Sequence, residues 1–350
     1  MMQKGSRLEV AKLAQVLGVD GNQFAFLSAV PAVTIRALRH EIELASYRRH
    51  ESRFDRIAAI SKLVPPGVIA TIAQKSMGPQ LAARVAGAMQ VEEAVKIARH
   101  LDPEFIADMA ASLDPRRIGP IAAQLSDELI VEVGRLLLRR RQYVTAGRLV
   151  PVITLSALEE LIGLIGGSEI LQIALYVDDP ADLERVVDLL SDERLFDIVQ
   201  AAAINAHLDE AVMLMESLPV RNTARIISQV ARQQEGVRNI VIETVARNHT
   251  WEAVLPGLAL QPAELLPLLA NTPATVDPAI MAEILAVARK LDLGQWLVLL
   301  MVSLDDDHIG ALGQCEALQD PDRVGWLLDN VGSSRRLISG ILRDLGAVLA

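Results

Sequence analysis

The stretch from residue 101 to residue 136 decides the fold. It contains three successive segments of twelve residues, LDPEFIADMAAS (101–112), LDPRRIGPIAAQ (113–124) and LSDELIVEVGRL (125–136). Each segment opens with leucine and a capping residue, which is Asp102, Asp114 or Ser126. An Asp or Ser before the first turn, with proline as the first helical residue, is a common start of an α-helix. The segments therefore predict one short helix each, followed by a tight turn.

Four apolar columns run through five consecutive repeats. At a spacing of twelve residues the columns are Met77, Met89, Leu101, Leu113 and Leu125; Ala82, Ala94, Ile106, Ile118 and Ile130; Val85, Ile97, Met109, Ile121 and Val133; and Ala86, Ala98, Ala110, Ala122 and Gly134. Val64, Ile69, Ile72 and Ala73 extend them with a slip of one residue. Apolar residues three, four and seven apart form one stripe on a helix. Helices this short are marginal alone, so stacking must stabilise them, which predicts an α-solenoid.

The repeat continues less regularly after residue 150. Leu171, Leu183 and Leu195 keep the spacing of twelve, and Asp179-Pro180 and Ser191 provide further helix starts. Beyond residue 205 we expect longer amphipathic helices over 208–218, 223–232 and 278–291. No useful stretch alternates between apolar and polar residues as a strand would. The predicted fold class is all-α, in the form of a superhelix of short helices.

Charge is distributed unevenly along the chain. Residues 1–150 carry 21 Lys and Arg against 15 Asp and Glu, whereas residues 151–350 carry 13 against 29, and the net charge is −10. We therefore predict a basic N-terminal half, 1–150, with regular repeats, and an acidic C-terminal half, 151–350, with looser repeats. The asymmetry indicates a charged partner for one half, contacts between copies, or a chance drift of composition.

The composition favours a protein of the cytosol. Cys315 is the only cysteine, so the chain can form no internal disulfide, as is usual in a reducing compartment. Glu9 and Lys12 interrupt any apolar core of a signal peptide. The cleanest apolar run, 293–304, falls short of the roughly 20 residues that a membrane span needs. We expect a soluble chain without a membrane span.

The repeats at 101–136 resemble a known family of helical repeats. They are similar to the short-helix repeats of the N-terminal cytosolic domain of MgtE-type magnesium transporters, and related stacking occurs in the middle region of the flagellar rotor protein FliG. The similarity is clear over 77–136 and weaker over 153–202. In MgtE the repeats precede a CBS pair and a membrane domain, which we do not recognise here, so magnesium transport is not implied. The resemblance implies a superhelix that regulates or docks something.

Motifs for catalysis and cofactors are missing from the sequence. No His-Glu-x-x-His, Gly-Lys or Gly-x-Ser-x-Gly motif occurs. We expect no cofactor and favour a non-enzymatic function. Asp305, Asp307 and Glu316 stand where an EF-hand loop has its first, third and twelfth ligands, but Ile309 replaces the oxygen ligand at position five. Acidic residues at the start of a helix explain the same pattern, and we assign no metal.

Two arginine clusters are the candidate sites for a partner. The first is Arg139, Arg140 and Arg141, and the second lies around Arg48 and Arg49. Stacked helices could align them as a stripe that binds an acidic protein. Nucleic acid is not expected, because the isoelectric point is near 5.2 and acidic residues interrupt the second cluster. The alternative is that both clusters are solvated helix faces. The predicted function is a protein-interaction scaffold or regulatory docking module.

The aliphatic composition supports a second hypothesis. Met213 and Met215 lie close together in the sequence, and Trp296 belongs to a helix that is apolar on all sides. A concave wall of such residues suits a lipid or another apolar ligand. The alternative function is therefore a carrier of an apolar small molecule in the C-terminal half, and a plain core is the simpler interpretation of the same residues.

Overall fold

A computed structural model describes residues 4–48, 56–59, 63–312, 316–318 and 320–330. These residues form helices joined by short turns, with no strand among them, which confirms the all-α prediction. Within the described ranges, no helix has both the length and the apolar character to cross a lipid bilayer. The chain forms two compact units, unit 1 from Met1 to Val186 and unit 2 from Val187 to Ala350.

Unit 1 contains two N-terminal helices and a series of short ones. Their bounds are α1 Lys4–Leu17, α2 Ala32–Arg48, α3 Pro66–Ile72, α4 Pro79–Ala86, α5 Val91–Ala98, α6 Pro103–Ala110, α7 Pro115–Ala122, α8 Asp127–Arg139, α9 Tyr143–Leu149, α10 Leu155–Gly163 and α11 Gly167–Ala174. Helix α12, Pro180–Leu189, crosses into unit 2. A 3₁₀ turn at Gly21–Ala29 joins α1 to α2.

The repeat helices begin where the capping residues predict. Asp114 accepts a hydrogen bond from the backbone N–H of Arg116, and Ser126 accepts one from that of Leu129. Asp102 precedes a helix as predicted, but its side chain does not cap it. Instead its carboxylate accepts a hydrogen bond of 2.7 Å from Gln74, in the π-helical turn Ala73–Met77. Helices α4 to α7 have eight residues each, which fits a repeat of twelve.

The short helices of unit 1 stack in two rows. Most of these helices pack against the second-next helix along the chain: α3 against α5, α4 against α6, α5 against α7, α6 against α8, α8 against α10 and α9 against α11. Helix α7 instead packs on the 3₁₀ turn Val150–Val152. Consecutive helices therefore alternate between the rows. This alternation is consistent with the predicted solenoid and places the apolar columns of both rows toward each other.

Among its described residues, unit 2 combines four helices of 12–14 residues with shorter ones around one large core. Their bounds are α13 Asp192–Ile204, α14 Leu208–Met215, α15 Val220–Ala231, α16 Glu235–Asn248, α17 Trp251–Leu258, α18 Leu266–Ala270, α19 Pro278–Lys290, α20 Gly294–Val302, α21 Asp306–Leu312 and α22 Pro321–Asp329. The predicted helices at 208–218, 223–232 and 278–291 are present with shifted ends. Helix α19 starts as predicted, with Asp277 accepting hydrogen bonds from the next turn.

The charge of the two units differs from that of the two sequence halves. Unit 1 contains 22 Lys and Arg and 22 Asp and Glu, whereas unit 2 contains 12 and 22. The predicted division near residue 150 follows the charge and the regularity of the repeats, and residue 150 lies inside unit 1. The two divisions therefore describe different properties. Unit 1 is balanced in charge, because residues 151–186 add seven acidic residues and one arginine.

Candidate functional site

A long aliphatic groove lies within unit 1. It has two sections, one of about 240 Å³ lined by residues from Ile57 to Leu125, and one of about 160 Å³ lined by residues from Ile106 to Val186. Both sections are lined by the same five residues in the middle, namely Ile106, Leu113, Ile118, Ala122 and Leu125. Apart from Gly134, every lining residue is Ala, Val, Leu, Ile or Met. We call this feature the aliphatic groove.

The twelve-residue repeat builds the groove. Every member of the four apolar columns lines one section or the other, and so do the four residues that extend the columns toward residue 64. The lining side chains are buried or half-buried, except Ile72, which is 48% exposed. The column residues therefore pack neighbouring helices together and also line an open space, which other side chains do not fill.

A small polar pocket adjoins the groove. It measures about 90 Å³, and its charged lining residues are Glu43, Arg84, Asp114, Arg117 and Arg148. Leu113, in the turn between α6 and α7, lines both this pocket and the groove. Helix α4 is shared in the same way, since Ala83 lines the pocket while Ala82 lines the groove. We call this feature the polar pocket.

Six charged side chains form a buried charge cluster inside unit 1. They are Glu9 and Lys12 on α1, Arg39 and Glu43 on α2, Arg148 on α9, and Asp178 after α11. The side chains of Lys12, Glu9 and Arg39 are 1–3% exposed. Charged groups that are removed from water are costly unless they are paired, so their mutual geometry is decisive.

The cluster is held together by close ion pairs. Lys12 Nζ lies 2.6 Å from Asp178 Oδ1 and 3.1 Å from Glu9 Oε1. Arg39 Nη2 lies 2.9 Å from both carboxylate oxygens of Asp178 and 3.3 Å from Glu9 Oε2. These contacts fix α1 and α2 against the segment that follows α11. Charge-assisted hydrogen bonds of this kind are shorter and stronger than neutral ones.

Glu43 forms the second part of the cluster. Its Oε1 lies 2.7 Å from Arg148 Nη2, and its Oε2 lies 3.0 Å from Arg116 Nη2. Arg116 also pairs with Asp114 at 3.0 Å. The Nε atoms of Arg39 and Arg148 are buried and have no hydrogen-bond partner among the described residues. The cluster is therefore closely paired but not completely satisfied.

The electrostatic environment shifts the pKa values of two carboxyl groups of the cluster, Asp178 and Glu43, in opposite directions. Burial disfavours the charged form of Asp178, but Lys12 and Arg39 outweigh it and lower its pKa from 3.8 to about 2. Burial raises the pKa of Glu43, and Arg148 and Arg39 only partly oppose this shift. Burial also lowers the pKa of Arg148, although an arginine stays charged at neutral pH. The cluster therefore stabilises unit 1 with Asp178 as its firmly ionised anion.

Sequence reasoning missed the buried charge cluster. It considered Glu9 and Lys12 only as interruptions of a signal peptide, and it did not single out Asp178. The sequence of α2 contained a signal for this burial. Ile35, Arg39 and Glu43 are spaced four residues apart, so the two charged residues lie on the same helix face as the apolar Ile35. Part of the basic N-terminal region is thus inside the fold rather than on a surface.

The structure places the first arginine cluster at the exposed end of α8. Arg139, Arg140 and Arg141 are all exposed, and Arg140 Nη1 pairs with Asp108 Oδ1 at 2.7 Å. Arg139 and Arg141 form no ion pair with the residues that the structure describes. Arg48 is the last residue of α2, and Arg49 lies outside the described residues. The structure therefore characterises only the first cluster as an accessible cationic surface.

Two of the three residues of the alternative carrier hypothesis, Met215 and Trp296, lie in the core of unit 2. Trp296 is 6% exposed and Met215 is 8% exposed, and both belong to the large apolar core, while Met213 is half-buried. The indole Nε1 of Trp296 is buried without a hydrogen-bond partner among the described residues. Core packing accounts for the burial of Met215 and Trp296, and the binding of a ligand there stays a prediction.

The acidic residues near 305 lie at the start of α21. Asp305 accepts a hydrogen bond of 3.0 Å from the backbone N–H of His308, and its Oδ1 lies 2.6 Å from His308 Nδ1. These contacts lower the pKa of Asp305. Among the described residues, Asp307 and Glu316 included, no three His, Cys, Asp or Glu side chains are grouped so that they could hold a metal ion. The cap of α21 accounts for Asp305.

Comparisons with known proteins give no neighbour: no protein-family profile, curated protein sequence or solved structure matches the chain. The resemblance of the repeats to MgtE and FliG therefore stays a prediction. The functional argument depends on the geometry of the chain itself, namely the aliphatic groove, the polar pocket, the buried charge cluster and the exposed arginines of α8.

Proposed function

We propose that the chain is a non-catalytic, cytosolic helical-repeat scaffold that docks an acidic protein at Arg139, Arg140 and Arg141. The observation that carries the proposal is the contrast between these arginines and those of the buried charge cluster. Arg39 and Arg148 are buried in ion pairs, whereas Arg139 and Arg141 project from the end of α8 without an ion pair among the described residues.

The balance of charge in unit 1 supports this assignment. Its 22 basic and 22 acidic residues cancel overall, so unit 1 does not attract acidic molecules through its net charge. Attraction must come from a local excess of cations, and three consecutive arginines at one helix end provide one. Arginine forms two parallel hydrogen bonds with a carboxylate, which gives geometric specificity as well as charge.

The test is affinity capture from an extract of the native host with the full-length chain as bait. Three baits are compared by quantitative mass spectrometry: the natural chain, a variant with Arg139→Glu, Arg140→Glu and Arg141→Glu, and a control with Lys96→Glu and Arg99→Glu. The control also reverses exposed cations of unit 1, which form no ion pair with the part of the chain that the structure describes. Circular dichroism verifies that all three fold.

We expect an acidic protein that the natural chain and the control retain and that the triple reversal loses by about tenfold or more, since wrong-sign contacts repel. The captured protein should elute as salt rises from about 0.1 M to 1 M, where the Debye length falls from about 10 to 3 Å. Retention of every captured protein at its natural level by a folded triple variant would refute the docking site.

A further inference from the structure

The aliphatic groove and the polar pocket together have the chemistry of a binding site for an anionic amphiphile. We propose that unit 1 binds one long-chain fatty acid, with its hydrocarbon chain in the aliphatic groove and its carboxylate in the polar pocket near Arg84. The site is distinct from Arg139, Arg140 and Arg141, and it does not depend on the docking of a protein there.

The lining of the groove defines the chemistry of the hydrocarbon part. Its two sections, of about 240 and 160 Å³, are lined without a single polar or aromatic side chain. A ligand with polar atoms along its length would lose hydrogen bonds to water and find no substitutes in the lining. A flexible alkyl chain has no hydrogen bonds to water to lose. It can also follow the groove past Ile106 and Ala122, which line both sections.

The charges of the polar pocket define the head group. Three arginines and two carboxylates line it. Both carboxylates are engaged: Glu43 pairs with Arg148 at 2.7 Å, and Asp114 pairs with Arg116 at 3.0 Å. Arg84 is exposed and forms no ion pair with the described residues, and the lining has one more cation than it has carboxylates. The pocket therefore has cationic charge to spare for one anion.

The polar pocket and the aliphatic groove lie next to each other, as the head group and the hydrocarbon chain of one ligand require. Leu113 lines the pocket and both sections of the groove, so the head-group site and the hydrocarbon site meet at one side chain. On α4, Arg84 lines the pocket, while Ala82 and Val85 line the groove. A single-chain carboxylate has the same arrangement, with one anionic end attached directly to an apolar chain.

The experiment measures binding of octanoate, decanoate and dodecanoate to the full chain by calorimetry, below their micelle concentrations. We expect one ligand per chain and a dissociation constant that falls about fourfold for each added methylene, as burial of a CH₂ group in an apolar site predicts. Dodecyltrimethylammonium, with the opposite charge on the same chain, is expected to bind at least tenfold more weakly than dodecanoate.

Variants separate the head-group site from the groove. Arg84→Glu, at an exposed position that the fold tolerates, should weaken dodecanoate about two- to fivefold and strengthen dodecyltrimethylammonium, whereas Arg139→Glu changes neither. Ala98→Phe fills the groove and should weaken dodecanoate at least tenfold. Ala123→Phe, the same change at an exposed position outside the groove, should have no effect.

Several outcomes would overturn the proposal. They are the absence of dodecanoate binding, an affinity that does not depend on chain length, equal binding of the cationic amphiphile, and binding to phosphatidylglycerol vesicles without binding of monomeric dodecanoate. Unchanged affinity in a folded Ala98→Phe variant would exclude the groove. If Ala98→Phe does not fold, an unchanged preference of Arg84→Glu for dodecanoate over the cation would exclude the head-group site. None of these results bears on capture of a protein at Arg139–Arg141.

Discussion

The Arg39 guanidinium and the Asp178 carboxylate form an ion pair in which one nitrogen, Nη2, lies 2.9 Å from both carboxylate oxygens. The two residues are 139 positions apart in the sequence, and the arginine is 1% exposed. This pair fixes α2 against the segment that follows α11. The N-terminal helices are therefore attached to the repeats by charged contacts, while their apolar cluster lies among residues 10–42.

Removal of Arg39 should destabilise unit 1 strongly. Arg39→Ala leaves Asp178 and Glu9 with fewer cations in a buried site, and breaking a buried pair in this way costs about 3–5 kcal/mol. Arg36→Ala is the matched control, because Arg36 also pairs with Glu9 but is 40% exposed, so we expect a loss of about 1 kcal/mol or less. Urea unfolding followed by far-ultraviolet circular dichroism measures both. Equal losses in the two variants would contradict the role of burial.

Asp178 should make the stability of unit 1 dependent on pH. Its pKa is about 2 in the folded chain against an ordinary 3.8, so its ionised form stabilises the fold at pH values above about 4. That contribution, about 2 kcal/mol for a shift of this size, is lost as the pH falls from about 4 to 2. The measurement is the difference in unfolding free energy between the natural chain and Asp178→Asn at pH 6, 4 and 2.

Glu43 should change the stability of unit 1 with pH in the opposite direction from Asp178, and at higher pH. Burial raises its pKa, so the folded chain takes up a proton more readily than the unfolded chain does. Protonation of Glu43 therefore favours the fold as the pH falls through its raised pKa, above its ordinary 4.5. Glu43→Gln should remove this gain. If the unfolding free energy of the natural chain depends on pH in the same way as that of Asp178→Asn and of Glu43→Gln, the pKa shifts assigned to these two carboxyl groups are contradicted.

Gly147 should not tolerate a side chain. A β-carbon on this residue of α9 would lie 2.5 Å from the carbonyl oxygen of Ile173 and 2.7 Å from Cβ of Tyr176, so α9 and α11 would have to separate. We expect Gly147→Ala to cost about 2–3 kcal/mol. In contrast, a β-carbon on Gly163 meets nothing within 4 Å, and Gly163→Ala should stabilise by about 0.5–1 kcal/mol. Thermal unfolding of the two variants tests this difference in sign.

Arg141 offers a variant in which stability and binding change in opposite directions. Its φ is 54°, in the left-handed region at the end of α8, where glycine is favoured. Arg141→Gly should therefore stabilise the chain by about 1 kcal/mol while it weakens capture of the acidic partner. Ala206→Gly, with a φ of 57° at the end of α13, should give the same gain without a change in capture. Reduced binding in both glycine variants would point to a general effect on the fold.

Local chemistry predicts most of the helices in unit 1 but not the way they are attached. The starts at Pro103, Pro115 and Asp127 follow from the Asp or Ser that precedes each helix within one repeat, and the apolar columns follow from the spacing of twelve. The pairing of Lys12 with Asp178 joins residues 166 positions apart, and no local pattern encodes it. The sequence also cannot distinguish a column that fills the space between helices from one that lines a groove.

The candidate sites show the same limit. Arg139, Arg140 and Arg141 were recognisable as a cationic group, because they are adjacent in the sequence. The sequence around the arginines of α2 is also rich in basic residues. Arg39 nevertheless lies inside the fold, because Glu9 and Asp178 pair with it there. Burial of a charge depends on distant partners, so the exposure of Arg139, Arg140 and Arg141 and the burial of Arg39 required the structure.

The two-row stacking of the repeats has a consequence for the lengths that this architecture permits. Because most short helices of unit 1 pack on the second-next one, removal of a single repeat, such as residues 101–112, would transfer the later short helices of unit 1 to the opposite row. Removal of two adjacent repeats, 101–124, would return each later helix to its own row and shorten the groove by a complete step. We therefore expect a variant of unit 1 that lacks two adjacent repeats to keep its packing better than one that lacks a single repeat.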